Sequence, residues 1–341
     1  MAMGLVSLYS SSISSNDFLN FKKQIIFAVV GLLLIFLISL ADWRVLKNEP
    51  YIIAILYLLG CLSIAGLFLF APEIRGVVGW YKIGPVSFDP VEFTKIILVI
   101  LLAKYFSLRH AEVYRIRHIL FSGFYVLIPV VLAFFQPNMG QVLIFMFLWL
   151  AVLLVSGIKI RSFLAIVLVL SLIAAVGWFF LLKDYQKERI LSFVMPQFEP
   201  LGAGWSRVQA KIAIGSGGVW GYGFTQGSQT QYGFLPEPQT DFIFSAIAEE
   251  FGLMSIVAML VLFSILIWRI IKIALDSSNN FVRLFSSGLV ILLFFEIFVH
   301  IGMNLGILPV IGIPLPLVSY GGSSLIFTSI GLGIVQSIKT H

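Results

Sequence analysis

Stretches of about 20 consecutive apolar residues recur along the whole chain, the length a helix needs to cross roughly 30 Å of hydrocarbon. They do not alternate with period two, as the strands of a membrane barrel would. With 60% hydrophobic residues, 11% charged residues and a mean hydropathy of +1.03, 341 residues are far too apolar for a soluble globular protein. The chain therefore reads as an all-α polytopic membrane protein. Spanning helices are predicted at 24–41, 50–70, 91–107, 119–135, 139–157, 162–182, 241–270, 284–304 and 317–338, nine complete spans. The opening MAMGLVSLYSSS has the apolar content of only the second half of a span and lacks the basic start of a signal peptide. A tenth, truncated first span is expected there, within a single integral membrane domain covering 1–341.

Charge sets the orientation. Basic residues gather in alternate linkers: Arg44 and Lys47; Lys104, Arg109, Arg115 and Arg117; Lys159 and Arg161; Arg269, Lys272 and Arg283. Placing these in the cytoplasm satisfies the positive-inside tendency. The segments 71–90, 136–138, 183–240 and 306–316 then face outward, and Asp241 stands at the outer boundary. The net charge of +6 thus reports topology and implies no nucleic-acid partner. The single cysteine, Cys61, cannot form an intrachain disulfide, and neither redox chemistry nor a thiolate metal site is indicated. A linker as long as 183–240 is far longer than a plain connection and suggests function, a chemically inert lid being the alternative. Its segment RVQAKIAIGSGGVWGYG starts like a short amphipathic helix suited to the interface and ends in glycines. With no strand before it, the glycine run is not a dinucleotide site. Walker A, HExxH, GxSxG and paired zinc-ligand patterns are absent from the sequence, so nucleotide hydrolysis, metalloproteolysis and serine acyl transfer lack support.

Few residues remain that carry chemistry. In FLPEPQTDFIFSAIAEE, Asp241 lies where a polar loop meets an apolar helix. It either caps that helix or serves as a general base, and the two are compatible because helix amides favour the ionised form. In SFDPVEFTK, Asp89 is placed as N-cap with Pro90 at the first helical position. Glu92 and Lys95 then share a helix face, either as a capping box with a snorkelling lysine or as a pair turned toward a wet cavity. Glu296, His300 and Asn304 form a polar stripe at i, i+4, i+8, read as interhelical hydrogen bonding or as a cavity lining. Arg75, Lys82, Arg207 and Lys211 are outer-side cations able to neutralise phosphates, or merely solvated loop residues.

Three segments together go further: RGVVGWYKIGPVSFDPVEFTK; ERILSFVMPQFEPLGAGW with QAKIAIGSGGVWGYG and FLPEPQTDFIFSAIAEE; and NLGILPVIGIPLPLVSYGGSS. In residues, order and spacing they resemble the SEDS family of cell-wall polymerases (shape, elongation, division and sporulation), and more its RodA-type elongation branch than its FtsW-type division branch. The resemblance implies a ten-span helical bundle with a large extracellular loop between spans seven and eight. It implies peptidoglycan glycosyltransfer, joining lipid II into glycan strands on the outer face of the bacterial cytoplasmic membrane, beside a class B penicillin-binding protein. Asp241 matches the family's essential aspartate, and Glu92 and Lys95 its polar pair. Many members carry a serine where this chain has Val91. On this reading Asp241 is the base in an inverting displacement, and Lys95, oriented by Glu92, stabilises the pyrophosphate. Arg75, Lys82, Arg207, Lys211 and Ser319 bind substrate, and Mg²⁺ or Mn²⁺ on the pyrophosphate is expected to assist. The alternatives are a lipid II flippase and a scaffold that activates the transpeptidase. An O-antigen polymerase or ligase is disfavoured because 183–240 holds only Arg189 and Arg207 as arginines.

Overall fold

The computed structural model describes residues 1–73, 78–84, 86–109, 115–180, 182, 187, 191 and 203–341. In chain order the elements are α1 (Ala2–Ser15), α2 (Leu19–Leu40), α3 (Arg44–Asn48), α4 (Pro50–Phe70), β1 (Tyr81–Ile83), β2 (Val86–Phe88), α5 (Pro90–Leu108), α6 (Ile116–Phe135) and α7 (Met139–Val155). They continue with α8 (Ile160–Phe180), α9 (Ala203–Ser216), α10 (Ser228–Gln231), α11 (Ile243–Asp276), α12 (Asn280–Asn304) and α13 (Gly322–Thr340). Each predicted span holds a helix. Six of them, α2, α4, α6, α8, α11 and α12, are long and apolar enough to cross a membrane, so the protein is a polytopic, mostly helical membrane protein. The opening segment is the 14-residue α1, closed by Asn16 in the left-handed conformation (φ 52°).

The chain divides into two compact units. The second comprises Ile26–Ile160, Ile265–Phe295 and Gly321–His341. Its centre is α5, buried on nearly every side from Pro90 to Ala103. A helix apolar all round belongs inside a bundle, and here glycines let its neighbours close in. A Cβ at Gly60 of α4 would lie 2.8 Å from Thr94 Oγ1, and one at Gly331 of α13 would lie 3.3 Å from Ile96 Cδ1. On α6 and α7, Trp149 Nε1 donates to Ser122 Oγ at 3.1 Å. Ahead of α5, β1 and β2 pair as a short antiparallel hairpin with Lys82 opposite Ser87. Two three-residue strands inside a linker gave no periodicity that a sequence reading registers.

The first unit comprises Met1–Ile25, Arg161–Ser264 and Glu296–Tyr320. Here α9 packs Ala210 and Ala213 against Leu235, Phe242 and Ala246. The span predicted as continuous over 241–270 is interrupted, because Gly252 adopts φ 68° and ψ −172° inside α11. A broken helix exposes carbonyls on one side and amides on the other, and inside a membrane protein these need partners. The glycine loop after α9 supplies them. Tyr222 and Gly223 amides donate to the Glu249 and Glu250 carbonyls at 3.0 and 2.9 Å, and the Leu253 and Met254 amides donate to the Gly218 and Val219 carbonyls at 2.9 and 3.2 Å. Backbone meets backbone so closely that a Cβ at Gly217, Gly221 or Gly252 would collide with main-chain atoms. The IGSGGVWGYG run is thus a plug for a discontinuous helix.

Candidate functional site

The turn that delivers Asp241 is fixed by its own backbone. Glu237 sits between two prolines at a left-handed φ of 44°, and its carbonyl accepts from the Thr240 and Phe242 amides, both at 3.2 Å. The Ala246 amide then donates to the Phe242 carbonyl at 3.0 Å, which makes Phe242 the N-cap position of α11 and puts Asp241 just ahead of it. A cap for this helix comes from elsewhere: Asn304, at the end of α12, accepts from the Ser245 amide at 3.3 Å and from its hydroxyl at 2.6 Å. The same side chain donates through Nδ2 to the Asp241 carbonyl at 2.9 Å and to the His300 carbonyl at 2.8 Å. Asn304 therefore clamps the main chain on both sides of Phe242, leaving the half-buried Asp241 carboxylate on a rigid mount.

The proline-rich segment after α12 is pinned to the same turn. The Ser319 hydroxyl donates to the Thr240 carbonyl and accepts from the Leu315 amide, both at 2.8 Å. The Tyr320 amide donates to the Gln239 carbonyl at 2.8 Å. Gln24 Nε2 donates to the Ser319 carbonyl at 3.2 Å, and His300 Nδ1 bonds the Ile313 carbonyl at 2.8 Å. Two glycines of this segment reach predicted site residues. Gly312, at φ 69°, leaves the place where its Cβ would stand 3.8 Å from Asp241 Oδ2. Gly306, at φ 71°, runs beneath the side chains of Lys211, which a Cβ there would strike, and of Arg207, whose Cδ would stand 3.1 Å from it. One loop thus binds together four expected residues, Asp241, Arg207, Lys211 and Ser319. Arg207 is buried and Lys211, one turn on, is exposed.

The other expected residues belong to the second unit. Asp89 caps α5, accepting from the Val91 amide at 2.8 Å, while its own amide donates to Ser323 Oγ at 2.9 Å. Burial, and then the neighbouring Glu92 charge, push the Asp89 carboxyl up to about 7. Glu92 does not return to the cap as a capping box would. Its Oε1 accepts from Lys95 Nζ at 2.7 Å, with both residues buried at 5% and 1% exposure. Lys82 is exposed on the hairpin. Arg75 lies outside the described residues.

The family model described as FtsW/RodA/SpoVE, cell cycle protein, matches residues 1–341. The chain belongs to the FtsW/RodA/SpoVE family. Among its relatives, the peptidoglycan glycosyltransferase MrdB of Escherichia coli K12 is 38% identical over 331 residues, which is 97% of this chain and 88% of that one. Stage V sporulation protein E of Bacillus subtilis is 31% identical over 100% of this chain and 94% of its own length. Among solved structures, one described as structural coordination of polymerization and crosslinking by a peptidoglycan synthase complex aligns with a TM-score of 0.84 at 31% identity, covering 99% of this chain and 95% of that chain. The rod shape determining protein RodA of Thermus thermophilus aligns at 0.70 with 28% identity, over 99% and 93%.

For this FtsW/RodA/SpoVE member, two features of the site were not foreseen from sequence. Asn304 stood in the polar stripe of α12, but nothing in a one-dimensional pattern says that it grips the Asp241 turn. Glu249, in the AEE that follows, is fully buried and accepts from the Gln229 and Thr230 amides at 2.6 and 3.0 Å, capping the short α10. Its signal was a pair of carboxylates inside an apolar span, which must be paired or functional.

Proposed function

We propose that this chain is a peptidoglycan glycosyltransferase that polymerises lipid II into glycan strands on the outer face of the bacterial cytoplasmic membrane, during cell elongation. The bundle has ten spans, and the linker between the seventh and eighth faces outward. The donor sugar is α-linked to a polyprenyl pyrophosphate and the product is β-1,4-linked, so a single in-line displacement with inversion suffices. Asp241 accepts the proton of the acceptor's 4-hydroxyl as that oxygen bonds to the donor's anomeric carbon. The bond to the pyrophosphate oxygen breaks, and the lipid pyrophosphate leaves. A base of this kind contributes about 10²- to 10⁴-fold. The observation that carries the reading is the mounting of Asp241: its backbone is held by Asn304 and its turn by Ser319, while Arg207 and Lys211 lie over the same loop. Preorganised donors and cations around developing charge are the largest catalytic lever available without a cofactor.

Arg207 and Lys211 engage phosphate oxygens, as Arg75 and Lys82 are expected to. Lys95, held by Glu92, lends its charge to the pyrophosphate as it leaves. Ser319 acts by setting the Thr240 carbonyl and hence the loop that substrate meets. Among the described residues no group of three or more His, Cys, Asp or Glu side chains stands ready to hold a metal ion. Mg²⁺ or Mn²⁺ enters with the pyrophosphate substrate, whose oxygens are the hard ligands that such an ion takes. A class B penicillin-binding protein is the partner, a reading supported by the structural neighbour in which polymerization and crosslinking are coordinated in one complex. The deciding experiment uses purified protein and labelled lipid II. Asp241→Asn keeps the size and polarity of the side chain but removes the base, and polymer yield should fall by about 10²-fold or more. Polymer formed at the wild-type rate would leave the flippase or scaffold roles standing and end the assignment of Asp241.

A further inference from the structure

A cavity of about 340 Å³ opens at the ends of α5 and α6 that meet the basic linker 104–118, lined by Tyr105, Arg109, Arg117, His118, Phe121 and Tyr125. It lies wholly within the second unit, and the catalytic scheme uses none of its residues. We propose that it binds the phosphodiester headgroup of an anionic glycerophospholipid in the cytoplasmic leaflet.

The Arg109 guanidinium carbon lies 4.4 Å from the centre of the Tyr105 ring, and that of Arg117 lies 5.5 Å from the centre of Phe121. Stacking occupies one face of each planar cation and fixes its orientation, while the N–H edges, which make bidentate contacts to phosphate oxygens, stay in plane and available. Among the described residues neither arginine has a carboxylate partner. Two oriented cations on a concave surface, with no carboxylate paired to them among the described residues, select an anion. The Tyr105 hydroxyl meets His118 Nδ1 at 3.1 Å and lends the wall a polar edge suited to a glycerol or phosphate oxygen.

The surroundings decide between a lipid and a dissolved phosphate. On α6, Ile116, Leu120, Phe121 and Phe124 are exposed at 69%, 67%, 47% and 58%. This apolar strip begins at the cavity and runs along the helix in the direction of the membrane interior, where acyl chains lie. A soluble anion gains nothing from such a strip, whereas a phospholipid seated by its headgroup covers it with its own tails. The positive-inside assignment of the 104–118 linker puts the site at the inner leaflet.

The test titrates the purified full-length protein in detergent with dioctanoyl phosphatidylglycerol, dioctanoyl phosphatidylcholine and inorganic phosphate, reading bound lipid by native mass spectrometry. Phosphatidylglycerol should bind saturably and in preference to phosphatidylcholine. The double variant R109Q/R117Q should bind it roughly 30-fold more weakly, the loss expected for two interfacial cations. R283Q, which removes an exposed basic residue elsewhere, should change nothing. Equal binding of the two lipids by the wild type overturns the proposal without recourse to any variant, as does undiminished binding by the double variant. Displacement of phosphatidylglycerol by inorganic phosphate over the same concentration range as the lipid would assign the site to a soluble phosphate and overturn the lipid.

Discussion

At the scale of single residues, Glu92 and Lys95 pose an energetic question that their geometry answers. Both are buried, and their 2.7 Å bond inside the most enclosed helix of its unit costs desolvation that the mutual attraction does not fully return. Replacing such a pair with apolar residues of similar volume is commonly neutral or stabilising by about 1 to 4 kcal/mol, while removing one partner costs about 3 to 5 kcal/mol. A pair kept only for structure should therefore be dispensable as a pair. We expect Lys95→Met alone to lower the melting temperature sharply and the double change Glu92→Leu with Lys95→Met to restore it, yet polymerisation of lipid II to stay at least about 10²-fold down. Recovery of activity along with stability would reduce the pair to packing. Asn304 makes the opposite case, since its amide contacts Asp241, Ser245 and His300 and it lies fully buried. It is a positioning residue whose hydrogen bonds are matched on both its donor and acceptor sides.

At the scale of elements, the long helices were legible and the breaks were not. Hydropathy located α2, α4, α6, α8 and α12 because a run of about 20 apolar residues has few other uses. The Asp89-Pro90 start of α5 was legible from capping chemistry, and α9 from its amphipathic opening. The interruption at Gly252 was hidden because one glycine in an apolar run is tolerated in any membrane helix, and its cause lies about thirty residues upstream in the glycine loop. Asp241 was legible as a carboxylate at a boundary, but the loop that binds it to Arg207, Lys211 and Ser319 arises from tertiary hydrogen bonds that no spacing encodes. The plug itself makes a prediction. Gly221, at φ 79°, abuts the Glu250 carbonyl, so Gly221→Ala must shift main chain and break bonds that satisfy the split helix. Each backbone group left unpaired costs about 1 to 3 kcal/mol. A fall in melting temperature of several degrees with partial loss of polymerisation is expected, whereas Gly233→Ala, equally left-handed at φ 72° but facing open space, should show the smaller effect of strain alone. Equal losses at the two positions would mean that the plug contributes nothing beyond its backbone conformation.

At the scale of the whole molecule, everything proposed for Asp241 depends on which side of the membrane it meets. On the proposed topology α5, α6, α7 and α8 are four crossings between residue 82 and residue 241, which returns the chain to the same face. The linker between α11 and α12 is then on the opposite face. Because Cys61 is the sole cysteine, and is buried, a Cys61→Ser background gives a clean test by labelling with a membrane-impermeant maleimide. Lys82→Cys, exposed on the hairpin, should react in intact cells. Ser278→Cys, exposed between α11 and α12, should react only after the membrane is permeabilised. The reverse pattern would put the aspartate in the cytoplasm, on the side where lipid-linked precursor is assembled, and the outward-facing polymerase would give way to a role in precursor handling. Reaction of both cysteines in intact cells would instead mean that the chain makes an even number of crossings between residues 82 and 278. In that case at least one of α5, α6, α7, α8 and α11 does not cross.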